Sequence, residues 1–271
     1  MEEISQFVRN RNFIGLLLAN TVLGAGMPML LILSGLTGLT LAPSPVLATL
    51  PASVQTLAGL LAAAPFSLLM GRRGRRTGFL IGALMVVIGA LAAVQALFIQ
   101  SFELLCSAHF LMGAGLTSFQ YFRFAAGEVV QPNWQPVAIS LMLTSGLLAA
   151  IGGPQLFVAA KDLLAPIPFA GAYAALAAVT VLGVLPLSFV RTGFAHLGKN
   201  SPKTTWYIAK NALRRSAVRR AIGIGAVSQG GMMFLMVPTP LAMIECGFAE
   251  NTASDVIRWH IVAMFAPSFF T

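Results

Sequence analysis

The sequence predicts an all-α integral membrane protein, and three observations carry that reading. Only 9% of the 271 residues are charged and 57% are hydrophobic, against about a quarter and just under half in a water-soluble domain. Apolar runs of about twenty residues recur along the whole length, and each is long enough to cross a hydrocarbon core of roughly 30 Å as a helix. The third observation is the 26 Gly and 15 Pro, residues more frequent in spanning helices than in soluble ones. Mean hydropathy is +0.84. A backbone in lipid must satisfy its own N–H and C=O groups, so each apolar run reads as a helix.

Taken in order, eight runs read as spans. The first, Asn12–Leu41, is long and holds Gly24, Gly26 and Pro28, where a kink is expected. Val46–Met70, Thr77–Phe98, Phe102–Phe122, Val137–Ala160, Ile167–Val190 and Ala221–Ile244 follow. The eighth, Val256–Thr271, has about sixteen residues and falls short of a full crossing. The N-terminal MEEISQFVRNRNF carries acidic residues and no small-residue cleavage site, so it reads as a retained first segment rather than a signal peptide. Cys106 and Cys246 belong to no CxxC pair or Cys/His cluster. They read as two apolar helix residues, and neither a metal site nor a cofactor is expected.

The net charge of +9 would suit nucleic acid, but its placement points to the bilayer. The cations sit in short stretches between apolar runs, with no zinc-finger or RNA-binding signature. Counted by loop, 15 of the 17 Lys and Arg fall before span one, between spans two and three, after span four, and between spans six and seven. Only Lys161 and Arg258 fall in the alternate loops. The basic side is therefore expected to be cytoplasmic, with the N-terminus inside. The basic segment 191–220 divides the chain into a six-helix unit, 1–190, and a second unit, 221–271. Within it, Trp206, Ala209, Leu213 and Ala217 recur at helical spacing with cations on other faces. Two readings stand for this stretch to Arg220: a helix lying on the inner membrane surface, or a solvated linker whose charges fix topology.

Between spans two and three stands Ser67-Leu-Leu-Met-Gly-Arg-Arg-Gly-Arg-Arg76. This resembles the loop motif G-x-L-x-D-R-x-G-R-R of the major facilitator superfamily, with Leu69, Arg72, Gly74, Arg75 and Arg76 matching. Ser67 replaces the first Gly, and Gly71 replaces the Asp that contributes to a cytoplasmic charge network in that family. Span four holds His109-Phe-Leu-Met-Gly-Ala-Gly115, similar to the family's R-x-x-x-G-x-G with His109 in the Arg position. Span five holds Gly146-Leu-Leu-Ala-Ala-Ile-Gly-Gly-Pro154, similar to the Gly-rich antiporter motif; Gly146, Gly152 and Gly153 are expected to pack helices closely, and Pro154 to bend one. The resemblance implies a twelve-helix bundle in two pseudo-symmetric halves, of which this sequence supplies the first six-helix half and the start of the second. It further implies a monomeric secondary transporter of the bacterial inner membrane, moving a small organic solute by alternating access with protons as the coupling ion.

Ionisable residues inside spans are costly and are functional candidates by default. His109, an imidazole that titrates near neutral pH in water, is the candidate for proton coupling or substrate contact. Among neutral polar residues, Asn20, Thr144 and Gln229 are pathway candidates. The resemblance places spans one, four and seven on the cavity, which favours Asn20, His109 and Gln229 over Gln55. Arg123 and Glu128 flank the inner end of span four and read as a gate ion pair or headgroup anchor. So little intramembrane charge suits a neutral, weakly acidic or amphipathic cargo, and Met232, Met233 and Met236 suit an adaptable apolar wall. The stretch from Pro238 to His260 resembles a bacterial subgroup that includes drug exporters and riboflavin importers; drug or metabolite efflux is the first expectation and vitamin import the second. The alternative from another class is a membrane protein without transport activity. Neither G-x-x-x-x-G-K-[ST], H-E-x-x-H nor G-x-S-x-G occurs, which argues against an ATP-driven pump, a metalloprotease and a serine hydrolase.

Overall fold

A computed structural model describes residues 9–190, 207 and 210–265. Within them all regular structure is helical. Span one is two helices, α1 (Arg11–Gly24) and α2 (Gly26–Leu41), interrupted at Ala25. Pro28 has no N–H to return to the Gly24 carbonyl, so the ladder loses a rung where the sequence predicts the kink. α1 starts where Asn10 accepts from the Asn12 and Phe13 amides, an N-cap that satisfies two otherwise orphaned donors. The Asn10 side-chain amide also donates to the Val129 carbonyl at 2.7 Å, tying α1 to the end of span four.

A short 3-10 turn, Pro45–Leu47, leads into α3 (Leu50–Arg73), and α4 (Arg75–Phe98) follows at once. The loop expected from 71 to 76 is thus a single residue, Gly74, at φ 89° and ψ 156°. That conformation is essentially restricted to glycine, so one Gly reverses the chain where a longer loop was expected. Span four runs through α5 (Phe102–Phe119), a two-residue step at Gln120 and Tyr121, and α6 (Phe122–Glu128). It therefore ends later than expected and carries Arg123 inside it. α7 (Gln135–Ala160) is continuous through Pro154, and α8 (Ala170–Ser188) completes six spans.

α9 (Ser216–Met236), α10 (Thr239–Glu245) and α11 (Glu250–Phe265) follow. α9 begins before the expected Ala221, so Ala217, Arg219 and Arg220 belong to the span-seven helix; Leu213 lies in a separate helical run, 210–214, that ends at Arg215, and Trp206 and Ala209 lie outside the described residues. α11 begins six residues before the expected Val256, because Glu250, Asn251, Thr252 and Asp255 mask its start in a hydropathy reading. Arg258 accordingly sits within a helix, paired to Asp255 one turn back at 3.1 Å, and not in a loop. Among the described residues, seven helical stretches, from Arg11–Leu41 to Ser216–Glu245, are long and apolar enough to cross a membrane, and α11 is not one of them.

α5 is packed between α3 and α4, α4 and α1 both pack on α8, and α1 also packs on α7. α11 lies across α7 and α2, and α10 touches α2. At Gly113 a Cβ would collide with the Gln55 backbone of α3. Only a hydrogen fits there, which is how α5 sits so near its neighbour. Phe79 and Phe122 stack at 4.0 Å and fill the space between α4 and α6. The bundle's outside is apolar: Leu60, Leu61, Leu84, Leu91, Leu182 and Leu185 are all more than half exposed, as a lipid-facing surface requires.

Candidate functional site: a cavity between two helical units

A cavity of about 380 Å³ lies between the first six spans and the α9–α11 segment. Spans one, four and five form one wall; α9 contributes Gln229, Met232, Met233 and Met236, and α11 contributes Ile261 and Met264. Among the described residues its polar lining is Asn20, Gln120, Arg123 and Gln229, of which Arg123 alone is charged. Six methionines share the wall, an adaptable apolar lining. This is the usual build of a small-molecule site: an apolar hollow with a few placed polar groups.

At the end of the bundle away from Gly74, the two units are bridged. Lys161 Nζ meets Glu250 Oε2 at 2.5 Å, linking the end of α7 to the first turn of α11. Ser254 Oγ donates to the Pro154 carbonyl at 3.5 Å, and Leu241 lies over Gly35.

The structure sorts the expected site residues. Asn20 and Gln229 do line the cavity. Asn20 is also a fastener, since its amide donates to Ser145 Oγ at 2.7 Å and to the Met142 carbonyl at 3.1 Å. Thr144 is half-buried and off the wall, whereas its neighbours Met142 and Leu143 are on it. Gly146 lines the cavity too. Of the Gly pair, Gly153 is pressed against the Ala25 carbonyl and Pro28, while Gly152 faces open space and takes no part in close packing.

His109 does not reach the cavity. It is fully buried where α3, α5 and α8 meet. In the neutral imidazole, Nδ1–H donates to Gln55 Oε1 at 2.9 Å, and Nε2 accepts from the Tyr173 hydroxyl at 2.7 Å. Tyr173 Oη is also 3.0 Å from Thr37 Oγ1 of α2. Gln55, His109, Tyr173 and Thr37 thus form one polar chain across four spans. Sequence reasoning ranked Gln55 below His109, yet the two are partners; nothing marked Tyr173, because a tyrosine in an apolar run looks like packing.

The ion pair expected between Arg123 and Glu128 is formed by Arg75 instead. Its guanidinium grips Glu128 twice, Nε to Oε2 at 3.1 Å and Nη2 to Oε1 at 2.5 Å, and lies 5.9 Å from the Tyr121 ring centroid. The physical reason is the placement of both charges at helix ends of the wrong polarity. Arg75 is the first residue of α4 and Glu128 the last of α6, so each is disfavoured by its own macrodipole and each neutralises the other. Arg72 and Arg73 are exposed in the last turn of α3, the favourable end for cations. Arg123 stacks over Phe124 at 5.3 Å and makes no ion pair among the described residues.

With this architecture the loop motif, the Gly-packed fourth span and the cavity between two units are all in place, and the chain belongs to the major facilitator superfamily, a class of multi-pass membrane proteins. It is similar to the riboflavin transporter RfnT of Brucella anthropi, 32% identical over 96% of this chain and 66% of that protein. It is also similar to two uncharacterized MFS-type transporters of Bacillus subtilis, YddS at 29% and YdeG at 26% identity, each over 92% of this chain and 60% of the relative. The chain thus spans about 60–66% of the length of the curated relatives it matches. No family model matches it.

Proposed function

We propose that the cavity is the solute path of a secondary transporter, which moves a small amphipathic organic molecule by alternating access between the two helical units. The observation that carries this is the cavity itself: it lies between the units, is lined by residues of both, and is bridged at one end by Lys161 and Glu250. The cations around Gly74 mark the other end, and the positive-inside rule makes that end cytoplasmic, in the inner membrane of a bacterium. The cavity then faces the cytoplasm in this conformation.

Riboflavin is the solute to test first, because RfnT is a riboflavin transporter by name and a tricyclic ring suits a methionine-lined wall. Vitamin import is thereby favoured over drug efflux. Proton coupling would run through the buried Gln55–His109–Tyr173–Thr37 chain and not through direct solute contact.

Radiolabelled riboflavin uptake into right-side-out vesicles tests the reading. It is measured with this chain and with the chain joined to the remaining helices of RfnT, each beside its Met233→Trp variant, which fills the cavity. Uptake above empty vesicles by either length, abolished by the tryptophan, is the expected result. Correct insertion of both lengths without uptake of riboflavin or of cationic dyes would reject the transport reading in favour of a non-transporting membrane protein.

A further inference from the structure

The cavity is polar at one end only. Helix direction orders its lining. In span one and α9 the polar residues Asn20 and Gln229 come before the apolar Leu31 and Met236, nearer the basic end of the bundle. In span four, which runs the opposite way, Leu116 comes first and Gln120 and Arg123 last, again nearest the basic end. Three amides and one guanidinium thus lie in the half nearer the basic end, beside Met142, Leu143 and Met264, and the far half is lined by apolar side chains.

Arg123 is the centre of that polar end. Sequence position suggested a partner in Glu128, but Arg75 occupies that carboxylate with both of its oxygens. The guanidinium of Arg123 therefore lines the cavity as a cation whose charge no carboxylate among the described residues offsets. A planar guanidinium recognises carboxylate or phosphate through a two-point fork, and a cavity carrying net positive charge disfavours cations. Phe124, over which Arg123 stacks at 5.3 Å, restrains the fork.

We propose that the cavity selects amphipathic aromatic anions, with the carboxylate or phosphate held by Arg123 and assisted by Gln120, and the ring system lodged against the methionine wall. This rests on the transporter reading above and narrows its solute class: riboflavin, uncharged at neutral pH, is then a weaker ligand than an aromatic anion of similar size. Organic cations, the usual cargo of a drug exporter, are then poor ligands.

The test uses the purified chain in lipid nanodiscs and three probes of one shape: 2-naphthoate, 2-naphthamide and 2-naphthylmethylammonium, followed by naphthalene fluorescence. Discs of phosphatidylcholine alone are compared with discs containing phosphatidylglycerol. The expected order is carboxylate tighter than carboxamide by about tenfold or more, with the ammonium weakest. Arg123→Gln removes that preference, Arg123→Lys keeps part of it, and Arg214→Gln, an exposed cation outside the cavity, leaves it unchanged. Met233→Trp abolishes binding of all three. Folding of each variant is checked by helical circular dichroism and size exclusion.

A carboxylate preference that survives Arg123→Gln, or equal binding of carboxylate and carboxamide, overturns the assignment to Arg123. If Met233→Trp still blocks binding in that case, the cavity remains a solute site and the transporter reading stands. Loss of naphthoate binding only in phosphatidylglycerol discs would assign the anion site to lipid headgroups and overturn the solute class. No binding of any probe overturns both readings.

Discussion

At the residue scale the most consequential finding concerns His109. The only histidine placed well inside a span by the sequence reads as a titratable solute contact, yet its two nitrogens are both engaged, with Gln55 and Tyr173. A buried polar group left without its partner costs about 1–3 kcal/mol. Tyr173→Phe strands His109 Nε2 and removes the link to Thr37, so the expected outcome is a thermal unfolding midpoint lowered by several degrees with probe affinity in the cavity unchanged. His109→Ala removes both bonds and leaves a void, so a larger drop is expected. Differential scanning fluorimetry beside naphthoate binding checks both; a changed affinity with unchanged stability would place the imidazole in solute contact after all. What the sequence revealed here was the polarity of His109 and its span. Its partners were hidden, because Gln55 and Tyr173 lie 54 and 64 residues away and no local pattern joins them. Arg123 was hidden for another reason. Span four steps at Gln120 and Tyr121 and resumes as α6, which carries a residue that looked like loop into the cavity wall.

At the scale of elements, apolar runs located the spans because length and hydropathy suffice for a helix in lipid. The ends were less legible. A loop of one residue at Gly74 is invisible to hydropathy, since Arg72 through Arg76 look the same whether they flank a turn or fill one. The conformation at Gly74 is open to glycine at little cost and to other residues at about 1–3 kcal/mol. Gly74→Ala should therefore destabilise by that order although nothing lies within 4 Å of the added methyl; denaturation of Gly74→Ala against wild type in mild detergent measures it. The glycines of α7 offer a sharper contrast. The two adjacent positions Gly152 and Gly153 are indistinguishable in sequence, but a Cβ at Gly153 meets the Ala25 carbonyl and Pro28 whereas one at Gly152 meets nothing. Helix propensity alone favours Ala over Gly by about 0.8–1 kcal/mol. Gly152→Ala should therefore raise the unfolding midpoint slightly, and Gly153→Ala should lower it as α7 is forced off the break in span one. Equal responses at both sites would mean that α7 does not touch span one at Ala25 and Pro28.

At the scale of the whole molecule, two opposite-sign pairs stand at opposite ends of the bundle, and they act within different parts of it. Arg75–Glu128 joins α4 to α6, both inside the six-span unit, so it braces that unit in any conformation. Lys161–Glu250 joins α7 to α11 at the end of the cavity away from Gly74, so on the proposed alternating-access reading it is made only while that end is closed. An interaction present in one of two conformations shifts their populations by its own free energy. A partly exposed pair supplies up to about 1 kcal/mol, roughly a fivefold change in the fraction of time that end is open. Lys161→Gln and Glu250→Gln should each raise that fraction, and Lys161→Glu should raise it further by setting two carboxylates against one another. The double exchange Lys161→Glu with Glu250→Lys should restore the wild-type value, since it rebuilds the pair with its ends swapped. The measurement is the rate at which a membrane-impermeant thiol reagent labels Met236→Cys from the side away from Gly74, in a background lacking Cys106 and Cys246. Rates that rise in the single variants and return in the exchange would establish the pair as the closing contact. Identical rates in the wild type and all four variants would instead assign closure to the apolar seat of Leu241 on Gly35, which Leu241→Ala would then loosen on its own.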